Sequence, residues 1–147
     1  MESKIKALAE FLGIEADAIE KDEHVENRFY ADGGEFLVLT DKEADKAAAE
    51  EIEFSLWAFN ADFIIEKTGL SRKMSDYEAK SVIESLRKMQ ESTCESCNEF
   101  IKAVIAGTCG LENFTLAAIN ADGRAHFLAT YDDKENESGD YYIYRTN

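Results

Sequence analysis

Between Gly69 and Gly107 the chain has no glycine, and it has no proline at any position. Nothing in that stretch breaks a helix locally. Within it Val82, Leu86, Met89, Thr93, Cys97, Phe100 and Val104 step by three or four residues without interruption, the spacing that lines one face of an α-helix. Ser75-Asp76-Tyr77-Glu78 supplies a capping box at the start. The spacing predicts either one helix over 76–105, about 45 Å long at 1.5 Å per residue, or two helices broken near Ser92. Ser92-Thr93-Cys94-Glu95 fits a further capping box, so both outcomes stay open.

Other helices follow from the same rules. Ile5, Leu8, Phe11 and Leu12 predict a helix over 3–12, with Ser3 as its cap and Gly13 as its end. Thr40-Asp41-Lys42-Glu43 is a capping box, after which Ala44, Ala48, Ile52, Leu56 and Phe59 form the apolar face. Asn60 caps a short helix that stops near Gly69, and Leu111 to Ile119 reads as another. The rest is β-prone. Arg28–Ala31 and Glu35–Leu39 flank Asp32-Gly33-Gly34 as a hairpin. Ala125–Tyr131 and Tyr141–Arg145 read as strands around a polar loop, 132–140. The expected fold is α+β and mostly helical. Its small antiparallel sheet is built from the N-terminal hairpin and the C-terminal strands, in a single globular domain over residues 1–147.

Charge narrows the function. Acids outnumber bases 31 to 16, a net charge of −15 with a pI near 4.5. Such a chain is repelled by phosphate backbones and anionic lipid, so direct nucleic-acid binding and membrane binding are disfavoured. No apolar run reaches the roughly 18 residues of a membrane span, and Met1-Glu2-Ser3-Lys4 carries no signal-peptide pattern. Three cysteines without a signal favour free thiols in a reducing cytoplasm.

Cys94 and Cys97 are the sharpest chemical feature, because a Cys-x-x-Cys pair is the usual first half of a zinc site. The second half would have to come from Cys109, His126 or His24, none of which has a paired spacing. Cys97 also sits on the apolar seam, where a free cysteine packs as a small hydrophobe. The expectation is therefore no cofactor, with zinc on Cys94 and Cys97 as the rival reading. His126 is the one candidate general base, with Asp122 or Asp132 beside it, but no serine or cysteine sits in a nucleophile motif. The loop 132–140 lacks the oxygen-ligand spacing of an EF-hand, and Gly33-Gly34 lacks the Lys-Ser or Lys-Thr of a phosphate loop. No catalytic residue is assigned, and the chain is expected not to be an enzyme.

What remains is where the acids fall. They cluster at 10–26, along a stripe of the helix after Thr40 (Glu43, Glu50, Glu53), and at 132–140 (Asp132, Asp133, Glu135, Glu137). Carboxylates spaced along rigid elements can meet the lysines and arginines of a basic, nucleic-acid-binding groove that normally hold phosphates.

Leu56-Trp57-Ala58-Phe59-Asn60-Ala61-Asp62-Phe63-Ile64 with Thr68-Gly69 is one distinctive stretch. Another is Asp122-Gly123-Arg124-Ala125-His126-Phe127-Leu128 with Tyr131-Asp132, Glu135-Asn136-Glu137 and Tyr142-Ile143-Tyr144-Arg145-Thr146-Asn147. Over about the last two-thirds of its length the chain thereby resembles a group of small proteins from phages and prophages of Gram-positive bacteria. That group has glycine where Ala125 and Asp133 stand here. The resemblance implies origin on a mobile element. Small acidic phage proteins often inhibit host defence, as anti-CRISPR and anti-restriction proteins do, by mimicking DNA. The resulting expectation is a binding protein that occupies the basic channel of a defence nuclease, a CRISPR effector foremost, through the acids just named.

Overall fold

A tight reversal at Asp32 and Gly33, both at positive φ (49° and 73°), joins β2 (Arg28–Ala31) to β3 (Gly34–Leu39) in the computed structural model, which describes residues 1–147. Gly34 follows the turn at a crowded position: a Cβ there would stand 2.9 Å from the Phe36 ring and 3.1 Å from Arg145 Nε, and those side chains would have to shift. β5 (Tyr141–Arg145) pairs with β3 in the register Phe36↔Arg145 to Leu39↔Tyr142. β4 (Asn136–Ser138) folds back on β5, and β1 (Glu20–Lys21) borders β2. The five-stranded antiparallel sheet has the order β1-β2-β3-β5-β4. The fold is α+β and mostly helical, with the N-terminal hairpin and the C-terminal strand in one sheet, as the sequence predicts.

The chain folds into two compact units, residues 1–48 with 122–147 and residues 49–121. The first holds the sheet and α1 (Glu2–Leu12). Leu8, Phe29, Val38 and Ile143, all 0% exposed, pack with Ala9, Ile19, Ala31 and Phe36 as its core. Burying each large side chain contributes about 1.5–3 kcal/mol. Gly13 ends α1 in the left-handed region, its N–H donating to Ala9 O at 2.8 Å. Ser3 does not cap this helix, which begins a residue earlier; its hydroxyl meets that of Tyr141 at 2.6 Å instead.

Two more expectations in this unit are corrected. Residues 125–131 are not a strand: α7 (Arg124–Leu128) is a short helix. β5 is already flanked by β3 and β4, so the segment has no strand to join there; the Tyr131 N–H donates to Arg145 O and the Thr130 hydroxyl to Thr146 O. Tertiary context overrides β propensity at this point. The loop expected over 132–140 supplies β4 as well, and the acidic segment 10–26 supplies a 3-10 turn (Ala16–Ala18) and β1.

α2 (Asp41–Phe54) follows the Thr40 capping box, with Thr40 N–H donating to Glu43 at 2.9 Å and Glu43 N–H to Thr40 Oγ1 at 3.2 Å. Ala44, Ala48 and Ile52 are 0% exposed along its inner face. It stops before Phe59, because the Ser55 hydroxyl turns back to Glu51 O (2.7 Å) and Leu56–Ala58 winds into a 3-10 turn.

In the second unit Asn60 caps α3 (Ala61–Thr68) by accepting from Asp62 N–H, and Ser75 and Glu78 form the capping box of α4 (Asp76–Thr93). The long seam is broken. A 3-10 segment, Cys94–Cys97, separates α4 from α5 (Asn98–Ala106), so the two-helix outcome holds, with the break just beyond Ser92. α6 (Leu111–Asp122) completes the helices of this unit. Leu56, Ile64, Ile101, Ile105 and Phe114 are buried, and Phe59, Phe63 and Phe114 meet with ring centroids 5.6–5.9 Å apart. No helix is long and apolar enough to cross a membrane.

Candidate functional site

The predicted acids separate into tied and free groups. Glu43 is half-buried; besides closing the Thr40 box it pairs with the buried Lys4 ammonium at 2.5 Å, which Asn27 also holds. Burial alone would raise the Glu43 carboxyl, but Lys4 and the Thr40 amide outweigh it and hold it below its ordinary value. Glu135 is bound to Arg124 at 2.9 Å and accepts from the Tyr144 hydroxyl. Arg124 also pairs with Asp41 (2.8 Å) and Asp45 (3.1 Å), and stacks 4.6 Å from the Tyr142 ring centre. This cluster ties the start of α2 to α7 and the β4–β5 hairpin. Burial first, then Glu135, pushes the Tyr144 phenol well above its ordinary value.

Among the others, Asp132 is half-buried and accepts from Lys134 N–H at 3.1 Å. Asp133 is exposed at φ 56°, and Glu137 is exposed on β4 opposite Tyr142. Glu50 is exposed on α2, while Glu53 is half-buried and its main-chain carbonyl accepts from Asn98. Glu43 and Glu135 are thus committed to internal pairs, whereas Glu50, Asp133 and Glu137 face solvent.

The densest free charge lies elsewhere. The first unit holds 19 acids against 9 bases, a balance of −10 within the chain's −15. Glu15, Asp17, Glu20, Glu23, Glu26 and Asp32 are all exposed there, and none forms an ion pair. Asp32 belongs to the β2–β3 turn, Glu15 and Asp17 to the 3-10 turn before β1, and Glu20, Glu23 and Glu26 to β1 and the turn after it. Asp22 fixes that turn by accepting from the His24 and Val25 amides (2.7 and 3.0 Å) and from the Tyr30 hydroxyl (2.6 Å). The Tyr30 hydroxyl, followed by the two amides, lowers the Asp22 carboxyl to about 2, so it stays charged. Beside these residues a hollow of about 350 Å³ is lined by Glu20, Tyr30, Asp32 and Glu35 with the Asp32–Gly34 turn. Glu35 is paired: Arg28 Nε stands 3.2 Å away, at an angle that makes no hydrogen bond, and Thr146 donates to it at 2.7 Å. Glu20 and Asp32 are the open carboxylates of the hollow. The 10–26 cluster is visible in the sequence, but the pairing of Lys21 with Phe29 that displays Glu20 has no local signal.

The thiols and imidazoles do not converge. Cys94 is exposed, Cys97 is buried with its sulfur against Cys94 O, and Cys109 is half-buried. No three His, Cys, Asp or Glu side chains gather where a metal could be held, so the zinc reading has no ligand set. His126 is exposed and stands edge-on to Phe127, with no hydrogen bond to Asp122 or Asp132. The second unit contains an apolar groove of about 380 Å³ between α3, α4 and α5, lined by Ile64, Val82, Met89, Phe100 and Val104 among others, with no charged residue.

No protein-family model, curated protein or solved structure matches the chain.

Proposed function

We propose that this is a non-enzymatic acidic binding protein that occupies a basic, nucleic-acid-binding surface of a partner. The partner class is a bacterial defence nuclease, with a CRISPR effector the leading member. The observation that carries the reading is the exposed carboxylate surface of the first unit, Glu15, Asp17, Glu20, Glu23, Glu26 and Asp32, none of them in an ion pair, around β1 and the turns beside it. Closely spaced free carboxylates suit lysine and arginine side chains arrayed for phosphates. The resemblance to phage proteins supports the choice of partner class.

Displacement is the test. Labelled target DNA held by a purified CRISPR effector, or by a restriction enzyme, is titrated with the protein and followed by anisotropy. The expected result is release of DNA from the nuclease and no interaction with DNA alone. Failure to release DNA from any nuclease of either class contradicts the proposal.

A further inference from the structure

The break between α4 and α5 falls in a stretch where the one local signal is the Ser92–Glu95 capping pattern. The apolar seam runs through Thr93, Cys97 and Phe100 without a glycine or proline, yet the chain doubles back there. In one straight helix Val82 and Val104 would stand about 33 Å apart at 1.5 Å per residue. Both line the same groove of about 380 Å³.

Beside the burial of Leu86, Cys97, Ile101 and Ile105, two polar and conformational features mark the bend. Cys94 sits at φ 49°, ψ −127°, a region that side-chain-bearing residues rarely adopt and that persists only where the surroundings enforce it. Enforcement comes from both sides of the joint. Gln90, one turn before Cys94, donates to the carbonyls of Trp57 and Phe59 at 3.0 and 2.7 Å. Asn98, one turn after it, accepts from Trp57 N–H at 3.0 Å and donates to Glu53 O at 2.8 Å. The same main-chain turn, 53–59, is therefore gripped from both helices.

We infer that the α4–α5 joint is a sprung hinge: Gln90 and Asn98 hold it bent through the 53–59 turn, and its release lets residues 76–106 straighten toward a single helix. Straightening relieves the conformation at Cys94 and restores one uninterrupted helical register. It also parts the walls of the apolar groove, since Val82, Leu86 and Met89 belong to α4 while Phe100, Ile101 and Val104 belong to α5. An event that pulls on the 53–59 turn would thus open or close the groove.

The test uses the full chain with fluorophores attached through non-cysteine handles at the exposed positions Lys80 and Ala103. The wild-type chain should give one short-distance, high-transfer population. Gln90→Ala with Asn98→Ala should add a low-transfer population near the roughly 34 Å of a continuous helix. An unchanged distance in a double variant that keeps its helical circular dichroism overturns the inference. If that variant does not fold, Cys94→Gly and Cys94→Ala decide. A sprung joint requires the glycine variant to melt at the higher temperature, because glycine accepts positive φ and alanine does not. The reverse order overturns the inference.

Discussion

Replacing Asn98 by leucine removes a polar clamp while nearly preserving side-chain volume. Asn98 is 9% exposed, and its amide serves two main-chain groups, Trp57 N–H at 3.0 Å and Glu53 O at 2.8 Å. Leucine satisfies neither. A buried main-chain group left without its partner costs about 1–3 kcal/mol, and the gain from burying an apolar side chain offsets part of the pair. The net expectation is a loss of about 2–4 kcal/mol. For a chain of this size that corresponds to a melting temperature lower by roughly 6–16 °C. Urea unfolding followed by the emission of Trp57, the one tryptophan, reports on the clamp directly. Asn98→Asp separates the two bonds, since it keeps an acceptor for Trp57 N–H and loses the donor to Glu53. It should fall between wild type and Asn98→Leu. If Asn98→Leu unfolds within about 0.5 kcal/mol of wild type, the 53–59 turn does not depend on Asn98 and the reasoning is refuted.

Arg124→Met removes three ion pairs and the stacking on Tyr142, while Asp41 and Asp45, at 69% and 60% side-chain exposure, rehydrate. The expected loss is about 1–3 kcal/mol by chemical denaturation, and no loss would show the cluster to be incidental. Ile143→Ala, at a position 0% exposed in β5, should cost about 2–5 kcal/mol in the same assay; a cost under half that would place β5 outside the core. Acid should destabilise the protein in a defined window. Glu43 and Asp22 are held below their ordinary values of 4.5 and 3.8, Asp22 at about 2, so their contribution is complete above pH 4.5 and is lost as pH falls toward 2. Urea midpoints across that range should fall on acidification, and Glu43→Gln should flatten the fall; an unchanged slope would remove Glu43 from the account.

Elements written in short-range signals were legible in the sequence. The capping boxes at Thr40 and Ser75, the Asn60 cap, the ends at Gly13 and Gly69 and the Asp32-Gly33 reversal all lie within four residues of the groups they serve. The misreadings occur where distant partners decide. Residues 125–131 have strand composition but lie beside Arg124, whose partners Asp41 and Asp45 precede it by 83 and 79 residues. The sequence leaves a break near Ser92 open as one of two outcomes, and the turn that decides between them lies some 40 residues earlier. The candidate site was half legible for the same reason. Counting carboxylates located the clusters, but only the side-chain pairings revealed that Lys4 and Arg124 tie up Glu43 and Glu135 while the β1–β2 surface stays free.

The proposed function requires the free carboxylates of the first unit to meet a basic partner surface. The most direct measurement is the dissociation constant for the proposed nuclease partner against salt, for wild type and for a Glu20→Lys, Glu23→Lys, Glu26→Lys variant. Screening acts over about 8–10 Å at moderate ionic strength, so wild-type binding should weaken steadily as salt rises. The variant should bind more weakly at low salt, chiefly through slower association, with a shallower salt dependence. A matched Glu50→Lys, Glu53→Lys variant should lose less. Equal affinity and equal salt dependence for all three proteins would contradict the charge-based account.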